Sequence, residues 1–445
     1  MRFRIGLISV PLLLVLAGCP AGNSKPPSNS GTSNPPAKNV QQAPPKGEPD
    51  DPAVIDQLKQ FGGKLSLNDA GQVTGVDLSD KSLDKADKAN EVFDALTKLK
   101  HLQKLAALGP GIRNDQLAKI AGLKAIRELD IENSSINDEG LAHLAGLDNL
   151  ETLYLRRANI QDAGLEKLAL LQNLQRLDLR YTNVTNEGMK SVAKLSKLRV
   201  LLLQATKVDD AGLESITGLK NLVKLNLWGS RFTSDAAKHI AKFTNLQVLE
   251  MKDTRMKDDG LLQLKGLTKL RELALERTQV RNEGLTILQG MPDMTVLNLR
   301  DMMATDPGLE NIVGLVKLRE LDLSEGAFGD EGMKNLAALE NLEELNLWKV
   351  TVSNDGLAPI TGLTKLKRLN LAESRINDDG VKLLKPLTEL EDLNLSLTEI
   401  TPAALEFIPE FKKLKTLTIS NCIMVTSDAK DALQTAMPQL KITGP

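Results

Sequence analysis

Apolar residues recur along this chain with one fixed period, the distance from Leu102 to Ile126 and again from Ile126 to Leu150. Ile136 to Leu155 reads INDEGLAHLAGLDNLETLYL, and from Ile160 the chain reads IQDAGLEKLALLQNLQRLDL. With the first Leu of each unit taken as position 0, that position falls at Leu102, Ile126, Leu150 and so on to Leu390 and Leu414, fourteen units in unbroken register. Positions 3 and 5 are also apolar, as in Leu153/Leu155 and Leu345/Leu347. Apolar residues two apart on a short segment predict a strand with those side chains pointing inward. Positions 2, 4 and 6, with 7 just beyond, are then expected to face solvent. Position 12 is an Asp, Asn or Ser in most units, from Asp138 to Asp378, which predicts side-chain caps at helix N-termini. Pro307 directly follows Asp306, at a first helical position that Pro tolerates. Leu141, Leu144 and Leu147 then give one apolar face of a short helix or 3₁₀ segment, often closed by a Gly such as Gly146 or Gly218. Position 14 is Gly in ten units and Ala at Ala236 and Ala404. The demand there is for small size between closely stacked turns, with Gln116 and Asp428 the bulky exceptions in the first and last units.

One strand and one short helix cannot bury their apolar side alone. Stacked copies share a continuous Leu ladder, each side chain worth about 1.5–3 kcal/mol when fully buried. A one-residue slip would turn the strand's apolar positions outward. The pattern LxxLxLxx[ST]x[IV]xDxGLxxL resembles the leucine-rich repeat in its ribonuclease-inhibitor-like form. It is similar to the variant with Cys at position 8, although here Thr or Ser usually stands there (Thr182, Thr206, Thr254) and Cys only at Cys422. The resemblance covers roughly Leu65 to Ile442. It implies an α/β solenoid, a curved horseshoe with a parallel sheet on its concave face and short helices on its convex face. Thirteen strand steps of about 4.8 Å give a sheet some 60 Å along the curve.

Outside the repeats, 51–101 reads as an N-terminal cap. A helix opens at Asp51-Pro52, a hairpin pairs Lys64–Leu67 with Val73–Leu78, and a helix lies near Asn90–Leu99; Leu440 and Ile442 supply a last short strand. The repeat domain is thus 102–445. Arg2 and Arg4 precede an apolar run from Ile5 to Leu16, too short to span a bilayer, which takes roughly 20 residues. Residues 1–18 read as a secretory signal peptide. Leu16-Ala17-Gly18-Cys19 resembles the lipobox of bacterial lipoproteins, which implies acylation of Cys19 and an exported, lipid-anchored location in the bacterial cell envelope, periplasm or cell surface. An ordinary signal peptide ending near a Cys is the alternative. Residues 19–50, rich in Pro, Ser and Asn, read as a disordered tether. Cys422 then has no disulfide partner, so packing holds the fold.

A net charge of −2 and 3% aromatic residues give no case for nucleic acid as partner. Three His and two Cys leave little for metal or nucleophile chemistry, and no phosphate-binding glycine motif or zinc spacing occurs. No cofactor, metal or catalytic residue is expected, and the chain is not read as an enzyme. Both Trp and both Tyr fall on the strand positions expected to be exposed: Tyr154 at position 4, Tyr181 at 7, Trp228 and Trp348 at 6. Exposed aromatics of this kind are typical interface anchors, though aromatics also suit strands for their own sake. Arg156, Arg157, Arg176 and Arg180 surround Tyr154 and Tyr181, beside Glu128, Asp130 and Glu132. This predicts an acidic patch next to a basic aromatic one, suited to a carboxylate- or phosphate-bearing partner; cross-strand ion pairing is the alternative. Asn at position 4 in later units (Asn226, Asn298, Asn346, Asn370, Asn394) reads as a solvated surface motif or a polar ladder. The candidate partner-binding residues are Tyr154, Arg156, Arg157, Arg180, Tyr181, Trp228 and Trp348. The expected function is recognition of a protein or peptide by the concave sheet of a membrane-anchored protein; the alternative is an envelope scaffold or spacer without a dedicated ligand.

Overall fold

The structure, a computed structural model, describes residues 47–444. The signal-peptide segment, Cys19 and nearly all of the tether lie outside the described residues. Helix α1 (Pro52–Gln60) is capped by Asp51, whose side chain accepts from the Ala53 N–H at 2.8 Å. Strands β1 (Lys64–Leu67) and β2 (Val73–Asp77) form an antiparallel hairpin, and helix α2 (Ala86–Leu96) buries Val92, Phe93 and Leu96. The expected tether does not stay free to residue 50. Asp50 Oδ2 accepts from Val73 N at 2.6 Å, and Gln72 Nε2 donates to the Glu48 carbonyl at 3.0 Å, because the hairpin edge has donors to satisfy.

From β2 onward every strand pairs parallel with the next, through the fourteen three-residue strands from Lys104–Ala106 to Thr416–Thr418 and on to Lys441–Thr443. The cross-strand register advances by one whole unit at each step, with Leu129 opposite Leu153 and Leu153 opposite Leu177. The result is an unclosed, curved parallel sheet with short helices on its outer side, a horseshoe solenoid. Leu at positions 0, 3 and 5 is fully buried in unit after unit (Leu150, Leu153 and Leu155, all 0% exposed). Phe232, Phe243, Phe328 and Phe411 are among the largest fully buried side chains. Hydroxyls at position 8 close several turns inside the core: Thr182, Thr254 and Thr398 donate to the carbonyl three residues back at 2.6–2.7 Å. The Cys422 thiol occupies the same place and reaches the Leu395 carbonyl at 3.0 Å.

Position 12 does not cap its own helix. The N-cap is position 11, for example Thr185, Asp209 and Asn377. The position-12 side chain instead reaches into the next turn and accepts from its position-11 backbone N–H. Twelve such bonds run in succession from Asn114 to Asp378, at 2.7–3.4 Å. The glycine at position 14 of that next turn lies directly over the same side chain. A methyl group at Gly356 would meet Asp330 Oδ1 at 2.3 Å, and one at Gly188 would meet Asp162 Oδ1 at 2.5 Å. None of the ten position-14 glycines has positive φ, so size alone is the requirement.

The two bulky exceptions resolve differently. Gln116 is fully buried and its Oε1 accepts from its own unit's position-11 N–H, Arg113, at 2.7 Å; it replaces the donor-satisfying side chain that no earlier unit supplies. Asp428 does not occupy position 14. The last unit holds one extra residue, so that Val425 is buried while Ile423 is 94% exposed. Thr426 is its N-cap, and Ala429, three residues on, stands where other units have Gly.

Asp210 satisfies both the N–H (2.9 Å) and the hydroxyl (2.7 Å) of Thr233. Asp210→Ala should therefore cost about 2–3 kcal/mol in urea unfolding, since it strands two partly buried donors. Asp210→Asn should cost under about 1 kcal/mol, because Asn186, Asn282 and Asn354 already make this bond elsewhere. Equal losses for the two variants would show that the cross-turn bond is not what stabilises the stack.

Candidate binding face

On the concave side, position 3 is buried and positions 2 and 4 flank it, half-buried, in strands such as Thr152–Tyr154 and Glu344–Asn346. The expectation that position 4 faces solvent fails along the middle of the sheet. Asp178 is 0% exposed, and Asn226, Asn298, Asp322 and Asn370 are buried too. Inward curvature crowds these side chains. Each also has a structural role, because its oxygen accepts from the position-6 N–H of its own strand at 2.9–3.1 Å. Asn346 and Asn394 stay half-exposed yet accept from Trp348 N and Ser396 N in the same way, so the recurring Asn is not simply a solvated motif. It ends the strand by an Asx-type turn.

Position 7 then takes a left-handed conformation in all fourteen units, twelve of them with a residue other than Gly. Arg157 (φ 57°) and Tyr181 (φ 58°) are among them. The conformation turns the position-7 N–H onto the next unit's position-6 carbonyl, Arg157 to Arg180 at 3.0 Å and Tyr181 to Gln204 at 2.9 Å. That bond offsets a cost on the order of 1 kcal/mol per residue.

The structure brings five of the candidate residues together. The Arg156 and Arg157 guanidinium groups lie 5.4 and 5.1 Å from the Tyr181 ring centre, and Arg176 lies 6.0 Å from that of Tyr154. The acidic and basic groups do not form separate patches. Arg156 and Arg180 both approach Glu132 at 3.6 Å, and Arg180 grips the buried Asp178 through Nε and Nη2. These guanidinium groups are already matched by carboxylates. The two tryptophans stand apart, Trp228 two strands beyond Arg180 and Trp348 five further, roughly 24 Å along the sheet. The Trp228 indole N–H donates to Asp253 and that of Trp348 to Glu373 at 2.9 Å. Lys252 lies 5.5 Å over Trp228, and Arg300 5.3 Å over Trp348. Both rings are only half-buried, so part of each aromatic surface is open to contact.

Between the tryptophans lie two carboxylates that the sequence pattern did not single out. Glu272 and Glu320, both at position 2, have no ion-pair or hydrogen-bond partner among the described residues. Burial pushes both carboxyls above the usual range. Their cross-strand neighbours explain this: Glu272 sits between Val248 and Val296, and Glu320 between Val296 and Glu344. An acid at position 2 with no base at position 2 of either adjoining unit was the available signal. Elsewhere position-2 charges do pair, as in Lys104–Glu128 at 3.1 Å. His101 and His143 are exposed, and no group of three or more His, Cys, Asp or Glu among the described residues is arranged to hold a metal ion.

Residues 101–358 match a family described as a leucine-rich repeat region, and residues 362–385 match one described as a leucine-rich repeat. No curated protein matches the chain. Similar solved structures include a leucine-rich-repeat protein of Leptospira interrogans, at 20% identity, with 90% of this chain and 99% of that one covered and a TM-score of 0.55. An internalin of Listeria monocytogenes is 19% identical, with 83% and 95% covered and a TM-score of 0.50. The leucine-rich-repeat ectodomain of the Arabidopsis receptor kinase HAESA, solved with a peptide hormone, is 16% identical, with 88% and 76% covered and a TM-score of 0.52. At these identities the likeness is one of fold.

Burial pushes the Asp130 carboxyl up to about 7, against the lowering bond from the Glu132 N–H; the charges of Glu132, Asp178 and Glu128 add to the rise. The folded state therefore holds a proton that the unfolded chain has lost. Stability from this group falls as pH rises from its unfolded value near 4 through 7. Asp130→Asn should raise the melting temperature clearly at pH 7.5 and much less at pH 5. An equal rise at both values would mean that Asp130 keeps an ordinary acidity.

Proposed function

The chain belongs to the leucine-rich-repeat family, and from that premise we propose that it is a binding protein holding a protein or peptide partner on its concave sheet. The observation that carries the reading is the strip from Trp228 to Trp348. Two half-buried indoles with their N–H groups already satisfied frame two half-desolvated carboxylates with no partner. Indole faces supply apolar contact area at low conformational cost. Glu272, half-buried, and Glu320, buried, gain from a Lys, an Arg or backbone N–H groups brought by the partner, since an unpaired, desolvated charge is stabilised by any donor that reaches it. The arginine–tyrosine cluster plays a supporting part, as the charges of Arg156 and Arg180 are spent on Glu132 and Asp178. No chemistry is assigned to the face. Recognition is by a rigid, pre-formed surface.

The test places a photo-reactive residue at Val248 or Val296 on the strip, and at exposed Lys265 on the helical side, in living cells. Partner cross-links are expected from the first two positions only. Trp228→Ala with Trp348→Ala should reduce them about tenfold, and Glu272→Gln with Glu320→Gln should do likewise. Equal yields from Lys265, or yields untouched by these changes, would reject the concave site in favour of a spacer without a ligand.

The same protein is proposed to be exported and tied to the bacterial envelope through acyl groups on Cys19. Support comes from the Leu16-Ala17-Gly18-Cys19 motif after a short apolar run. Cys19→Ala should abolish incorporation of labelled fatty acid and release the chain from washed membranes. Unchanged labelling would remove the lipoprotein assignment and leave the binding face standing.

A further inference from the structure

Each unit carries two side chains, at position 1 and at the residue before position 0, on the rim where the outer segments turn into the strands. Along most of this rim, cations are matched by carboxylates one turn away. Arg127 pairs with Glu151, Lys317 with Asp293 at 2.6 Å, Lys367 with Glu343 at 2.8 Å, and both Lys413–Glu389 and Lys415–Glu391 close at 2.7 Å. The pairing is absent at Lys365, which rests on the Asn341 amide oxygen at 2.6 Å, and over one longer stretch. A groove of about 450 Å³ is lined there by Lys197, Arg199 and Lys269 together with Gln175, Val223 and Gln247, and no carboxylate lines it. Among the described residues none of the three cations is paired with an acid. Lys197 and Lys269 rest on the Asn173 and Asn245 amide oxygens, each at 2.7 Å. Arg199 is half-buried, and its Nε is buried without any hydrogen-bond partner. In a chain of net charge −2, this is a local, uncompensated positive site with an unmet donor.

We infer that this rim groove is a second binding site, distinct from the concave strip, for an extended acidic segment of a polypeptide. Guanidinium and ammonium groups call for anions, and a guanidinium is suited to a carboxylate. Among the described residues the Gln175 and Gln247 carboxamides have no side-chain bonds, and each offers the donor and acceptor that a peptide backbone needs. Val223, 9% exposed, provides a short apolar floor. No aromatic side chain lines the groove, so nothing there stacks a nucleic-acid base. The geometry sets a spacing. Lys197/Arg199 and Lys269 are three strand steps apart, roughly 14 Å, and an extended chain covers that distance in about four residues with both side chains on one side. The preferred ligand therefore carries Asp or Glu at positions i and i+4.

The experiment uses the full chain and a fluorescein-labelled peptide with two glutamates four residues apart in a Gly/Ser background, read by fluorescence anisotropy at low ionic strength. Binding that weakens with added salt is expected, with about a tenfold loss in Arg199→Gln combined with Lys269→Gln and a partial recovery in Arg199→Lys. Trp228→Ala should bind this peptide unchanged, which separates the rim from the concave strip. The unfolding midpoint of each variant reports that it is folded. The proposal is overturned if the double variant binds like the parent, if a peptide with Gln for Glu binds equally, or if glutamates two residues apart bind as well. A single-stranded oligonucleotide or a carboxylated oligosaccharide that binds more tightly than the peptide would overturn the assignment to a polypeptide.

Discussion

The structure depends on one contact repeated along its length: a short polar side chain that leaves its own turn and satisfies a backbone N–H of the next. The leucine ladder supplies most of the free energy, but burial is non-directional and tolerates sliding. The Asp or Asn at position 12 does not tolerate it. Its oxygen fits between one N–H and one glycine Cα, so it fixes both the separation and the phase of adjacent turns. Where the ladder begins, Gln116 supplies the oxygen from within its own unit. Near its end, Pro402 stands where the Asp would be, and the following unit is the one with the inserted residue. The strict period holds where the cross-turn bond holds.

Much of this was legible in the sequence. The period, the buried positions 0, 3 and 5 and the small residue at position 14 all follow from the spacing of apolar and small side chains. What was misread has a common cause. Asp before a helix has the local signature of a cap, and Asn on a strand has the signature of a solvated residue. In both cases the true role lies with backbone groups that periodicity does not display, one of them 23 residues away (Asp138 with Gln161). The pairing of Arg180 with Asp178 is two residues apart and lay within reach, but the full burial of Asp178 arises from sheet curvature, which no single unit encodes. The left-handed position 7 was hidden because only Gly109 and Gly229 mark it with glycine.

With position 12 serving the stack and position 4 the strand ends, the remaining charges of the sheet and its rim are set mainly by positions 1 and 2. Charged side chains one period apart lie side by side across the sheet, so each pair of neighbouring units either cancels charge or leaves it. Cancellation is common here: Arg368 with Glu344, Lys104 with Glu128, Arg319 with Glu343. Departures from it therefore stand out against a matched background, which a count of total charge cannot reveal.

Two groups of departures lie in different places. The unpaired carboxylates Glu272 and Glu320 lie within the concave curve, whereas the unpaired cations Lys197, Arg199 and Lys269 line one stretch of the rim. A net charge of −2 conceals two local fields of opposite sign carried by neighbouring turns. Because the turns are locked in phase, neither field can be neutralised by one unit sliding against another. Nor can the short strands let a lysine on the rim reach a glutamate in the curve. The rigidity that makes the stack stable thus also keeps these charges apart, and an unpaired charge that the fold cannot relax is one that a ligand can satisfy at little conformational cost. The same contact that holds the turns in step is what leaves them with something to bind.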